Sequence, residues 1–208
     1  MNYLNTPTEL CEIMNRYGSD KGNGWHNYTK YYHNIFKDLK NNNLRIFELG
    51  LGTNNIDVLS NMGINGKPGA SLYGWEEYFS KSDIYGADID KRILFNNNRI
   101  KTYYCDQTSP DIIKNMWTNI DLTENFDIII EDGLHTFDAN VCFFENSLHK
   151  LKQGGYYIIE DICYKDFELF NDKIKEWTNK YPQFIFTLLL IPNISNNHDN
   201  NLLVIKYK

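Results

Sequence analysis

The chain has 208 residues, 42% of them apolar, with a formal net charge of −6. That is enough for one domain with a sizeable core, and an acidic chain without a basic block excludes nucleic acid as the expected partner. No apolar run approaches the roughly 18 residues that a membrane-spanning helix needs, so no membrane span is expected. The four Cys, at 11, 105, 142 and 163, form no Cys-x-x-Cys pair, which excludes a zinc ribbon. With no signal peptide in view, they are expected to be reduced thiols of a cytoplasmic protein.

In chain order, Thr6 and Pro7 open a first helix over 6–15, with Leu10, Ile13 and Met14 at helical spacing and a stop at Tyr17-Gly18. The loop Ser19 to Tyr28 is too polar and Gly-rich for a core element. Tyr31, Tyr32, Ile35, Phe36 and Leu39 then mark a second amphipathic helix. Residues 1–43 thus form a helical lid or substrate segment in front of an α/β core over 44–208, in a single domain. Within that loop, Lys21, Trp25, His26 and Tyr28 are candidate substrate residues, joined by the aromatic faces of Tyr73 and Trp75.

Strands are expected at 44–49, 84–88, 102–106, 126–131, 156–160, 184–191 and 202–207. Helices are expected at 71–79, with Ser71 as cap, and at 110–117, 139–151 and 166–180. Helices alternate with strands up to the fifth strand, and the chain closes with strand, loop, strand. That pattern predicts a doubly wound α/β fold, a mostly parallel seven-stranded sheet with an antiparallel terminal strand.

Chemistry-bearing residues gather at the expected strand ends, where open α/β sheets bind ligands. The first strand runs into Glu48-Leu49-Gly50-Leu51-Gly52, a turn whose glycines let backbone approach a ligand. The dinucleotide fingerprint stops short, because Asn55 stands at its third glycine, which disfavours a dehydrogenase. Asp88 ends the second strand, where an acid can bond a ribose diol, and Asp106-Gln107 end the third, beside an expected adenine edge. Two apolar runs end in the acid pairs Glu131-Asp132 and Glu160-Asp161, with His135 on the loop above. Converging carboxylates either repel one another or hold a cation.

These residues carry a resemblance. Glu-Leu-Gly-Leu-Gly at 48–52, Tyr-Gly-Ala-Asp-Ile-Asp at 85–90 and Cys-Asp-Gln at 105–107 resemble the class I S-adenosylmethionine-dependent methyltransferases, whose Rossmann-like sheet ends in an antiparallel strand. Glu131-Asp132-Gly133-Leu134-His135 and Gly154 to Asp161 are similar to the metal-dependent sugar O-methyltransferases of macrolide biosynthesis and bacterial surface-polysaccharide clusters. Leu134 departs from the Ser usual there. Ser71 to Trp75 and Tyr17 to Gly22 also resemble segments of that group.

The resemblance implies S-adenosylmethionine and Mg²⁺ or Mn²⁺ as cofactors. Glu48, Gly50 and Gly52 would line the methionine end, Asp88 the ribose, Asp106 and Gln107 the adenine, with Glu131 beside them. Asp132, Glu160 and Asp161 would be metal ligands, and His135, with Asp132, the catalytic groups, His135 being the general base. The acceptor would be a sugar or nucleotide-sugar hydroxyl, including capsule polysaccharide sugars, and a homo-oligomer is left open.

The chemistry holds together without the resemblance. A sulfonium donor is already activated, so catalysis rests on positioning and deprotonating the acceptor. A hard dication can bind adjacent hydroxyls and acidify one; metal-bound water falls from about 15.7 to about 7 in the best-known case. Such a site also suits a catechol-like diol or a phosphoramidate. A catalytically silent nucleotide-binding domain is the third reading, against which the full set of Asp132, His135, Glu160 and Asp161 weighs.

Overall fold

The computed structural model describes residues 6–22 and 24–208. Asn23, within the expected loop, lies outside the described residues. The elements are α1 (Glu9–Tyr17), α2 (Thr29–Phe36), β1 (Arg45–Leu49), α3 (Ala70–Tyr78), β2 (Asp83–Asp88), β3 (Asn96–Asn97) and β4 (Ile100–Tyr104). They continue with α4 (Pro110–Trp117), β5 (Phe126–Glu131), α5 (Phe137–Ser147), β6 (Leu151–Ile159), α6 (Phe167–Lys180), β7 (Phe184–Leu190) and β8 (Asn201–Tyr207).

The eight strands among the described residues join one sheet in the order β3-β4-β2-β1-β5-β6-β8-β7. The pairs β4–β2, β2–β1, β1–β5 and β5–β6 are parallel, whereas β8 runs antiparallel to both β6 and β7. The fold is therefore the expected doubly wound sheet with a reversed terminal strand, and the count is eight rather than seven. The extra strand is the two-residue β3, which folds back on β4 through Asn96–Asn97, where no strand was expected. β6 also begins at Leu151, five residues before the expected Tyr156. A register shift against β5 takes up Gly154-Gly155 as an irregularity within the strand.

Two helix caps differ from expectation. Thr8, not Thr6, caps α1, its hydroxyl accepting the Cys11 amide at 3.3 Å. Gly69, in the left-handed region, precedes α3, and the Ser71 hydroxyl donates to Glu48 instead of capping. Pro110 opens α4 where the helix was expected, and the Ser109 hydroxyl caps it.

The alternation of strand side chains decides what each helix covers. Phe47, Leu49, Ile129, Tyr157 and Ile159 point into a core built with Ile113, Trp117, Phe143, Phe144 and Trp177, from α4, α5 and α6. Ile46, Ile128, Ile130 and Ile158 point into a second core with Leu10, Met14, Tyr32, Phe36 and Trp75, from α1, α2 and α3, and with Tyr28, just before α2. Burying each such side chain contributes about 1.5–3 kcal/mol. Continued past the apolar stretch, the same parity sends Glu48 and Glu160 to the α1–α2–α3 face and Glu131 to the α4–α5 face. Among the described residues no helix is long and apolar enough to cross a membrane, and all four Cys are free.

Candidate active site

The carboxyl ends of β1, β2 and β5 open onto a cavity of about 530 Å³. It lies beside β1, where the chain's connections diverge to the two sides of the sheet, the usual crevice of doubly wound folds. Gly50, Gly52, Asp88, Asp106 and Gln107 line it, and so do Lys21, Asp132, His135 and Asp161. The expected cofactor turn and the expected reactive groups thus share one cavity. Glu48, Glu131 and Glu160 are buried behind it, as are His26, Tyr28 and Trp75.

The glycine turn is built against the acid segment. Gly50 has φ +88°, and a Cβ placed on it would sit 1.8 Å from the Asp132 carbonyl oxygen. Only glycine fits there. Asp88 fixes the same turn, accepting the Leu51 amide at 2.7 Å through one oxygen and the Asp90 amide at 2.7 Å through the other. Burial raises its pKa, against the pull of these backbone bonds. Asp90, which sequence reading passed over, accepts from the Thr53 hydroxyl at 2.6 Å and the Asn55 amide at 2.7 Å. So Asn55, the residue that breaks the dinucleotide fingerprint, locks this turn. The one signal was the Asp-x-Asp spacing at 88–90.

On the far side, Gln107 links strand ends. Its Nε2 donates to Glu131 Oε1 at 3.0 Å and its Oε1 accepts the Leu134 amide at 2.6 Å. Glu131 Oε2 has no partner among the described residues, and burial pushes this carboxyl up to about 7 despite the Gln107 bond.

The reactive corner is formed by Asp132, His135 and Asp161, whose ligand atoms lie within 4.8 Å of one another. His135 Nε2 is 3.1 Å from Asp132 Oδ1 and its Nδ1 is 3.4 Å from Asp161 Oδ2, so the ring sits between two carboxylates. Burial favours the neutral ring, but Asp161 and Asp132 outweigh it and push the imidazole up to about 10. His135 and Asp161 also adopt φ of 58° and 53°. Non-glycine residues in the left-handed region store strain that surrounding structure must hold, and such residues cluster at functional sites.

Glu160 was expected beside Asp132 and Asp161 as a ligand, but it stands outside that trio. Its Oε2 accepts from Lys21 Nζ at 2.5 Å and its Oε1 from the Tyr32 hydroxyl. Lys21 is 2% exposed and also pairs with Asp132 Oδ2 and, at 3.4 Å, with Glu48 Oε1. Burial works against its charge, but Asp132, Glu160 and Glu48 hold its proton well above the ordinary lysine range. The same ammonium, with His135, overcomes the burial that would raise Asp132 and holds that carboxyl below its usual range.

The residues expected to offer faces to a sugar divide sharply. Trp75 is fully buried and its indole donates to Glu48, so it supports an acid and presents no face. Tyr28 donates to Asp161 Oδ1 at 2.7 Å, and His26 Nδ1 lies 3.5 Å from the same oxygen. Tyr73 stacks between Tyr17 and Phe95. Trp25 alone of this set is exposed, at 58%. The loop from Lys21 to Tyr28 thus braces the carboxylates from behind, together with Tyr32, which the sequence presented only as a helix-face residue.

The donor chemistry fits a hard dication: two carboxylates with one oxygen each toward the imidazole, at a roomy polar corner. It also fits a sulfonium-bearing nucleoside, with a glycine turn, Asp88 and Gln107 around one cavity.

No protein-family model matches the sequence. Among curated proteins, the chain is 30% identical over 153 residues to 8-demethyl-8-alpha-L-rhamnosyl tetracenomycin-C 2'-O-methyltransferase of Streptomyces olivaceus, covering 74% of this chain and 37% of that protein. It is 30% identical over 155 residues to mycinamicin VI 2''-O-methyltransferase of Micromonospora griseorubida, covering 74% and 36%. The chain therefore spans a little over a third of the length of the curated relatives it matches. Among solved structures, MycE methyltransferase from the mycinamycin pathway, in complex with Mg and SAH, superposes with a TM-score of 0.75 at 22% identity, covering 97% of this chain and 55% of that one. Human methyltransferase-like protein 13, in complex with SAH, gives 0.58 at 16% identity, covering 83% and 75%. The chain has the class I methyltransferase fold and is similar in sequence, over about three quarters of its length, to these sugar O-methyltransferases.

Proposed function

We propose that the chain is an S-adenosylmethionine-dependent, divalent-cation-assisted O-methyltransferase acting on a sugar hydroxyl. The observation that carries this reading is the Asp132–His135–Asp161 corner opening into the same cavity as the Gly50 turn. Gly50 and Gly52 would receive the methionine part of the donor, Asp88 the ribose, and Asp106 and Gln107 the adenine. Asp132 and Asp161 would hold Mg²⁺ or Mn²⁺, which commonly binds through one or two carboxylates and keeps its waters. When bound, the ion supplies acidification of an acceptor hydroxyl and offsets the two carboxylates that keep His135 protonated.

The protein groups do the rest. The acceptor oxygen attacks the methyl carbon in line and the C–S electron pair returns to sulfur, giving S-adenosylhomocysteine. The hydroxyl proton passes to His135, which enters the step neutral and leaves it as imidazolium between Asp132 and Asp161. Positioning is worth the most here, since the donor needs no activation.

The acceptor is read as a nucleotide-linked or polysaccharide sugar in the cytoplasm, and four free thiols fit a reducing compartment. Calorimetric titration of S-adenosylhomocysteine into chelator-treated protein, with and without Mg²⁺ or Mn²⁺, tests the reading. Micromolar-range binding supports it; no binding in either condition leaves a silent α/β domain. A labelled-methyl screen of nucleotide sugars, glycosides and catechols then separates the acceptors.

A further inference from the structure

Seven Asp side chains line the cavity, against Lys21, Lys67 and Arg92. Two of these cations are committed. Lys21 is paired with the buried acids, and Arg92 donates to Asp90 at 2.7 Å and to both oxygens of Asp57, at 3.0 and 3.2 Å. The Lys67 ammonium makes no ion pair or hydrogen bond to any described residue. Its stem crosses the end of α1. Gly18 has φ +86°, and a Cβ built on it would stand 2.8 Å from Lys67 Cδ and 3.0 Å from Nζ. Ser19, the next residue, is 7% exposed and lines the cavity. Its oxygen accepts the Lys21 amide at 3.3 Å, and its proton goes to no described residue. The backbone beside Lys67 is tied to the donor turn. The Gly69 amide donates to the Leu51 carbonyl at 2.7 Å, and the Ala70 amide to the Lys67 carbonyl at 3.1 Å. Ala70 and Ser71, in the first turn of α3, line the same cavity, and the positive end of a helix favours an anion.

We propose that Lys67, with the Ser19 hydroxyl in the same wall, receives the α-carboxylate of the methyl donor's amino-acid end. This rests on the reading of the chain as an S-adenosylmethionine-dependent methyltransferase, and it adds what the glycine turn does not supply. The amino-acid end of the donor carries an ammonium and a carboxylate, and a glycine turn admits either by shape alone. A cavity lined by acids favours the ammonium and the sulfonium over much of its wall. The same acids repel the carboxylate. Lys67 is the one lysine or arginine lining the cavity that no described carboxylate neutralises. A phosphate on the acceptor is the other anion that could meet it. The Gly69–Leu51 bond places the lysine on the donor side of the cavity, which favours the donor. A carboxylate held there fixes which way the amino-acid arm lies, and so helps to aim the sulfonium methyl at the reactive corner.

The test is calorimetry on wild type, Lys67→Met and Lys67→Arg with two ligands. One is S-adenosylhomocysteine; the other is its decarboxylated analogue, which keeps the ammonium, the thioether and the adenosine. Lys67→Met is expected to weaken S-adenosylhomocysteine about tenfold and to leave the decarboxylated analogue within about twofold of wild type. Lys67→Arg keeps the charge and should stay within about threefold for both ligands. S-adenosylhomocysteine bound equally well by wild type and Lys67→Met would overturn the inference. So would equal weakening of both ligands, the result for a lysine that serves only the carboxyl end of α1, which would also lower the melting temperature. UDP supplies the third arm. A Lys67→Met protein that loses affinity for UDP, added with S-adenosylhomocysteine, while keeping that of S-adenosylhomocysteine would give Lys67 to an acceptor phosphate and overturn the inference too. In each of these cases wild type still binds S-adenosylhomocysteine and the methyltransferase reading stands. Wild type that binds neither S-adenosylhomocysteine nor its analogue removes both.

Discussion

The donor side and the reactive side of the cavity are held together in different ways. On the donor side, Asp88 bonds to amides at positions 51 and 90, and Asp90 to side chains at 53 and 55. These bonds join the β1 turn to the end of β2 over at most 37 residues, and two of the four hold backbone amides. On the reactive side the partners are far apart in sequence. Lys21 reaches Asp132 and Glu160, and Tyr28 and Tyr32 reach Asp161 and Glu160, across separations of 111 to 139 residues. The donor side is therefore a property of β1 and β2, while the reactive side exists only once α1, α2 and their loop have closed on the sheet. A local site survives loss of distant packing; a site assembled across the fold is first to lose its geometry.

The largest expected effect separates the two sides outright. His135→Ala removes the proton acceptor, and kcat should fall by about 10²–10⁴ with S-adenosylhomocysteine affinity within a few-fold of wild type. Parallel losses of turnover and cofactor binding, in single-turnover and calorimetric assays, would show that the division into sides is wrong. Gly50→Ala attacks the one point where the sides touch. The added methyl meets the Asp132 carbonyl at 1.8 Å in a left-handed backbone, so about 3 kcal/mol or more of stability and both ligand affinities should be lost together. A Gly50→Ala protein melting like wild type would mean that the turn and the acid strand are not in contact.

This contrast also explains what the sequence disclosed. The order of strands and helices was legible because apolar periodicity and turn residues act locally. β3 was missed because two exposed Asn carry no strand signal and pair only because Lys101 and Ile100 lie opposite. Gly50, Asp88, Asp132, His135 and Asp161 were legible as strand-end residues. The placement of Glu160 was not, since it depends on Lys21 and Tyr32 arriving from the first quarter of the chain. Trp75 and Tyr28 looked like sugar platforms because an aromatic ring reads the same whether its polar tip faces a ligand or a buried carboxylate.

Tyr32→Phe probes the long-range side at smaller scale. It leaves the ring packed against Trp75 and Phe36 but takes one donor from Glu160. Stability should drop by about 1–3 kcal/mol in denaturant titrations, because a buried carboxylate oxygen loses its partner. S-adenosylhomocysteine affinity should not change. A weakened cofactor site in this variant would blur the boundary between the sides and make the donor turn depend on α2.

The smallest effect lies on the opposite face of the sheet, at Glu131, where one oxygen is bonded to Gln107 and the other has no partner among the described residues. Burial favours its neutral form and pushes it up to about 7 from an ordinary 4.5. An acid whose pKa rises on folding penalises the folded state only where the unfolded chain is ionised. The penalty is absent below pH 4.5, grows as pH rises through that value, and levels off above about 7. Glu131→Gln carries no charge and keeps the Gln107 bond, so it should match wild type near pH 4 and gain about 1 kcal/mol, at most about 3, by pH 8. Thermal melts of both proteins across that range measure the gap. A gap that is constant with pH would mean that Glu131 is ionised at no cost, with its second oxygen solvated or bonded, and that Gln107 is then fixed by the donor side alone.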